Sequence, residues 1–134
     1  MKKLLTIISI ITLSLLLVSS TGCSIKYRSH YSALLLVRIE KRKSSTMRFT
    51  EFTGTKVFKM KAQSGEKLVY SASLDNGSAK VYYDNEGEKT VLFTINSNEK
   101  VSSELLNLKS GVLYIIIEMN EKCSKGEFIF NIVE

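Results

Sequence analysis

The chain has no Trp and no Pro in 134 residues, only two Cys and a single His. Two cysteines cannot build a structural zinc site, which takes about four ligands. The lone imidazole, His30, stands near the start of the chain, far in sequence from any nucleophile, and no Gly-x-Ser-x-Gly elbow occurs. No cofactor is expected. Without Trp, the commonest sugar-stacking side chain is missing. Without Pro, edge strands must be guarded by charge, a role that Lys59, Lys61 and Lys80 fit. No apolar run reaches the ~20 residues of a membrane-spanning helix. The longest, Leu4 to Val18, has 15 residues, with Thr6, Ser9, Thr12 and Ser14 inside it.

That run has its own grammar. Met1-Lys2-Lys3 is positive, the apolar stretch follows, and Ser19-Ser20-Thr21-Gly22 is a run of small residues. Together they read as a secretory signal peptide over residues 1–22. Thr21-Gly22-Cys23-Ser24 then resembles the lipobox of bacterial lipoproteins. The resemblance implies a diacylglycerol thioether on Cys23 and cleavage after Gly22. Ser20 departs from the pattern, which usually has Leu at that place. Two alternatives stay open. An ordinary signal peptidase would cut the same bond and leave Cys23 bare, or the segment stays uncut as an anchor. Two acyl chains on one cysteine hold stably, at about 0.8 kcal/mol per buried CH₂.

The 112 residues beyond the signal peptide suit one domain. Losing Lys2 and Lys3 lowers the formal net charge from +6 to about +4. The basic excess lies beside the anchor: Lys26, Arg28, Arg38, Lys41, Arg42, Lys43 and Arg48 face Glu40 alone before residue 49. Such a segment can gain about 1 kcal/mol per residue from anionic lipid. It can equally well solvate a tether and a strand edge. Nucleic acid is a poor partner for an exported chain whose remainder is near neutral. If Cys23 is acylated, Cys123 is a lone thiol; if not, the two can pair in an oxidising exterior.

Residues 23–32 read as a tether and residues 33–134 as an all-β domain. Ala33 to Ile39 is a first strand or a short helix, since apolar runs of that length are ambiguous. Lys56 to Ala62 alternates, putting Phe58, Met60 and Ala62 on one face. Leu68, Tyr70, Ala72 and Leu74 share a face, as do Ala79, Val81 and Tyr83, then Val91, Phe93 and Ile95. Asp75-Asn76-Gly77-Ser78 predicts a hairpin, because Asn-Gly takes the positive φ angles of a type I′ turn. Residues 84–88 and 109–111 are turns. Val101 to Leu108 is a strand or a helical turn. Val112 to Met119 is nearly continuous in apolar residues and is placed centrally. Asn120 to Gly126 turns again before Phe128, Phe130 and Ile132. Strands at this spacing predict an antiparallel β-sandwich of about eight strands.

A second resemblance rests on Gly65, Asn76-Gly77, the run from Leu108 to Glu118, and the closing run from Gly126 to Ile132. With these features residues 54–134 look like the small jelly-roll modules of secreted bacterial proteins, including the pre-peptidase C-terminal type. The likeness implies a jelly-roll fold more than a function.

Two chemical sites are candidates. Asp84, Glu86 and Glu88 alternate through a turn with Asp75 upstream, and calcium takes 6–8 oxygens from such loops. The plainer account is a solvated acidic turn. Tyr82 faces away from Tyr83, so it is a candidate platform for a glycan; alternatively the tyrosines pack the sandwich with their hydroxyls at its rim. The expectation is a non-catalytic sandwich, lipid-anchored on the outer face of the cell membrane, that binds an envelope protein or glycan. Calcium or glycan binding and a hydrolase are the alternatives.

Overall fold

The computed structural model describes residues 26–134; the signal-peptide residues 1–22 and Cys23 lie outside them. The described residues form an all-β antiparallel sandwich of eight strands: β1 (His30–Leu34), β2 (Val37–Glu40), β3 (Ser44–Ala62), β4 (Lys67–Asn76), β5 (Ala79–Asp84), β6 (Thr90–Ile95), β7 (Glu99–Leu105) and β8 (Gly111–Val133).

β3 and β8 are the frame. They have 19 and 23 residues and pair antiparallel from Ser44↔Asn131 to Ala62↔Gly111. Their middles form a corner. Phe52 faces Cys123 but Gly54 faces Met119, so residues 120–122 bulge from β8. A bulge adds twist and bends the ribbon, which lets one strand serve two sheets. The first sheet runs β3, β8, β5, β6 and uses the second half of β3 and the first half of β8. The second runs β2, β3, β8, β4, β7 and uses the other halves. β1 pairs with β3 at the corner.

Inward-facing positions change parity there. Met47 and Phe49 are buried before the corner, Phe52, Phe58 and Met60 after it. On β8 the buried set is Leu113, Ile115, Ile117 and Met119, then Phe128, Phe130 and Ile132. Rings join the sheets face to face. Tyr70 stacks on Phe93 at 5.2 Å, Phe58 meets Phe130 at 6.1 Å, and Phe93 meets Phe128 at 6.5 Å. Each buried Phe is worth about 1.5–3 kcal/mol. Gly126 lies under the Phe49 ring, where any Cβ would collide.

Several expectations change. Asn76-Gly77 is a turn, but β4 and β5 do not pair, so it is no hairpin: β4 binds β7 and β8, while β5 binds β6 and β8. The turn carries the chain from one sheet to the other. Residues 120–126 do not reverse the chain; they are the corner of one long strand. Ala33 to Ile39 is two strands broken at Leu35 (φ +50°). Val101 to Leu108 resolves into β7 and a loop whose Leu108 plugs the core. Lys59 and Lys61 lie where, among the described residues, β3 has no outer neighbour strand, whereas Lys80 is on an inner strand, paired on both sides. Residues 26–32 are not a bare tether. β1 already starts at His30, and Ser29 Oγ accepts from the Val57 amide at 2.9 Å.

Candidate functional site

Since Met47 and Phe49 point inward, Thr46 and Arg48 point out of the second sheet. Register then builds two rungs across its outer face. One is Val37–Arg48–Glu127–Ser73–Lys100 and the other Ile39–Thr46–Ile129–Ser71–Ser102. An Arg48–Glu127 ion pair sits in the first rung, with Nε donating at 2.7 Å. Three adjoining depressions follow these rungs. One of about 360 Å³ is lined by Leu35, Val37, Arg48, Thr50, Lys125 and Glu127. One of about 220 Å³ lies among Val37, Ile39, Thr46 and Arg48. One of about 260 Å³ is lined by Ser71, Ser73, Lys100 and Ser102.

This face is unusually apolar at one edge. Leu34, Leu35, Val37 and Ile39 are 51, 73, 62 and 50 % exposed. Among the described residues β2 pairs only with β3, which leaves its other edge without a neighbouring strand there. Leu35 and Lys125, which line the same depression, both hold positive φ, +50° and +48°. An L-residue there costs roughly 1–2 kcal/mol that glycine would avoid. Two such positions on one hollow make it a candidate site; Asn98 and Asn107 hold the same conformation elsewhere.

The outer face of the first sheet differs, because chain covers it. Tyr27 packs edge-on against Tyr114 with centroids 5.1 Å apart, and its hydroxyl donates to Asp84 at 2.7 Å. Lys26 Nζ reaches the same carboxylate oxygen at 2.7 Å, and the Gly87 amide donates to the other at 2.7 Å. The Asp84 side chain is 3 % exposed. Burial pushes its carboxyl up, but the bonds from Lys26, Tyr27 and Gly87 outweigh burial and hold it below the ordinary carboxylate range. Burial, then the bond to Asp84, push the Tyr27 phenol up to about 12.

The four candidate calcium ligands do not come together. Asp84 ends β5 and is spent on Lys26 and Tyr27, while Asp75 lies beyond the opposite end of that strand. Among the described residues no three His, Cys, Asp or Glu side chains gather as a metal would need. Glu86 and Glu88 instead line a cleft of about 280 Å³ with Tyr83, Asn85, Leu106 and Asn107. Tyr82 points outward, opposite to Tyr83, with Lys89 Nζ 4.2 Å from its ring centroid and Lys80 at 5.8 Å. The basic residues near the anchor part company. Lys26 binds Asp84, Lys43 binds Glu66 at 2.6 and 2.9 Å, and Arg38 donates to the Tyr31 hydroxyl at 2.7 Å. Arg28, Lys41 and Arg42 are exposed. The Lys43 ammonium, then the Gln63 amide, pull the Glu66 carboxyl down.

Cys123 is fully buried against Gly77, and its thiol donates to the Ser78 carbonyl at 3.3 Å. Burial pushes the thiol up, which suppresses the reactive thiolate. The sequence pattern missed the exposed strip on β1 and β2, because an apolar run of seven residues reads as core. The signal available was its lack of alternation beside Arg38.

No family model matches the chain, so its likeness to the pre-peptidase C-terminal module stays one of pattern. No curated protein matches it either. Among solved structures the chain is similar to Aeromonas hydrophila PliG, a periplasmic lysozyme inhibitor of g-type lysozyme. Identity is 13 %, the TM-score is 0.49, and 69 % of this chain and 88 % of that one are covered. It is similar to TmCBM61 in complex with beta-1,4-galactotriose, at 15 % identity and TM-score 0.44, with 87 % and 76 % covered. A family 29 carbohydrate binding module complexed with mannohexaose matches at 16 % identity and TM-score 0.42, with 79 % and 91 % covered. These are distant likenesses of strand arrangement; none assigns a ligand or an activity to this chain.

Proposed function

We propose that the protein is a lipid-anchored, non-catalytic binding module of the cell envelope, held by Cys23 and reading a protein partner with the outer face of its second sheet. The observation that carries this reading is the hollow shared by Leu35 and Lys125. Both residues hold positive φ on the rim of an exposed apolar edge. The partner is a protein because the hollow offers aliphatic surface, an ion pair and an open strand edge. Those are the elements of strand addition, in which backbone bonds give affinity and pockets give specificity. Glycan stacking needs exposed rings, and among the described residues this hollow meets only the buried edge of the inward-facing Phe49.

The test places a photo-crosslinking side chain at Ile39 in cells making the full chain. A discrete protein adduct that vanishes with Leu35→Asn is the expected result. No adduct, or one indifferent to Leu35→Asn, overturns the proposal. The anchor is checked separately by the intact mass of the N-terminal peptide, which should begin at Cys23 carrying diacylglycerol.

A glycan is the second reading, favoured by the cleft where Tyr83 stands beside Asn85, Asn107, Glu86 and Glu88. Titration with envelope polysaccharides, with and without Tyr83→Ala, decides it.

A further inference from the structure

The strap over the first sheet fixes how an anchored molecule must stand. Cys23 precedes Lys26 by three residues, and three residues span at most about 11 Å. Lys26 and Tyr27 are locked onto Asp84, with Ser29 on Val57 behind them. An acyl chain on Cys23 would therefore enter the bilayer close to this latch, not at the end of a loose tether.

The surface around the latch is basic. The outward residues of β3 and β5 there include Lys59, Lys61 and Lys80, all exposed. Lys89 joins them over Tyr82. Arg42 stands at the rim, where its carbonyl accepts from the Lys61 amide at 2.9 Å. The acids on this face are already matched: Asp84 by Lys26, and Glu118 by Lys89 at 2.8 Å. Glu86 and Glu88 line the cleft on the β7 side instead. On the opposite face Arg48 pairs with Glu127 and Lys67 with Glu104, which leaves Lys100 and Lys125, both farther from the strap.

We infer that the outer face of the first sheet lies against anionic lipid headgroups, with Lys59, Lys61 and Lys80 as its contacts and the Lys26–Tyr27–Asp84 latch as its hinge to the anchor. The inference rests on acylation of Cys23. It orients the molecule so that the Leu35–Lys125 hollow faces away from the bilayer. Each lysine beside an anionic surface is worth about a fivefold gain in partitioning, and the gain decays within a Debye length of about 8 Å.

The test uses the full, acylated protein in vesicles of phosphatidylglycerol and phosphatidylethanolamine. Phosphatidylcholine vesicles are the comparison. A water-soluble acylating reagent reports each lysine by mass spectrometry. Lys59, Lys61 and Lys80 should react at least fivefold more slowly on the anionic vesicles, while Lys100 on the second sheet stays unchanged. Tyr27→Phe combined with Asp84→Asn, which frees the strap, should even out the pattern. Equal reactivity on both sheets, or protection of Lys100 instead, overturns the orientation while the acylated N-terminal mass leaves the anchor standing. An unmodified Cys23 in that mass sinks the anchor and this orientation with it.

Discussion

Glu40 closes β2, the strand that carries the exposed strip, and its carboxylate pairs with Lys56 on the first sheet. The Lys56 side chain is 4 % exposed and that of Glu40 46 %. Lys56 thus depends on one partner that stands half in water, and its ammonium also lies 5.0 Å from the Phe58 ring centroid. Removing one partner of a fully buried pair costs about 3–5 kcal/mol, because a bare charge stays behind; replacing the buried charge by an apolar side chain costs little. Scaled for the half-exposed carboxylate, Glu40→Ala should cost about 2 kcal/mol. Lys56→Met should cost under about 1 kcal/mol. The double variant should match Lys56→Met alone, since the penalty of Glu40→Ala comes from the stranded ammonium. Urea unfolding at unchanged slope gives these differences, and amide exchange should show β2 opening in Glu40→Ala. A Glu40→Ala midpoint equal to wild type, or Lys56→Met falling below Glu40→Ala, would refute the reasoning.

Acid should release the strap. The Asp84 carboxyl is held low in the folded state, so its contribution is complete above the ordinary carboxylate value of about 3.9 and is lost as pH falls through the lowered folded value. Limited proteolysis after Lys26 should accelerate there, and Asp84→Asn should abolish that pH dependence. The alkaline limit has the opposite sign. Tyr27, raised to about 12, contributes fully below pH ~10 and loses its contribution as pH rises through that value, visible as delayed phenolate absorbance that Tyr27→Phe removes. Gly77→Ala should cost about 2–4 kcal/mol. Its Cβ would lie 2.5 Å from Cys123 Sγ at φ +106°, and thermal unfolding with and without Cys123→Ala separates the clash from the backbone strain. Ser45→Ala should be neutral or slightly stabilising in the same assay, because the buried Ser45 hydroxyl has no partner among the described residues.

Alternation is a local property, so it was legible without coordinates. The runs 56–62, 67–74, 79–83 and 128–132 became strands whose inward residues are the ones the pattern selects, while in 90–95 Phe93 and Ile95 face in but a bulge against β5 turns Val91 outward, 47 % exposed. The same parity also places Lys56 on the inner face with Phe58, a buried charge readable from spacing alone. Turn chemistry was legible only as a local change of direction. Asn76-Gly77 turns the chain, but whether β4 and β5 then pair depends on β8, whose two halves claim one strand each. Residues 120–126 have the composition of a turn and serve as a corner, because the ribbon with β3 continues through them. The acidic spacing at 84–88 suggested shared ligands, yet the strap takes Asp84 from one side and the cleft takes Glu86 and Glu88 on the other. Strand identity follows from side chains two residues apart. Strand partnership, the covered first sheet and the open Leu35–Lys125 hollow follow from contacts between residues tens of positions apart, and those exist only once the two sheets have closed on one core.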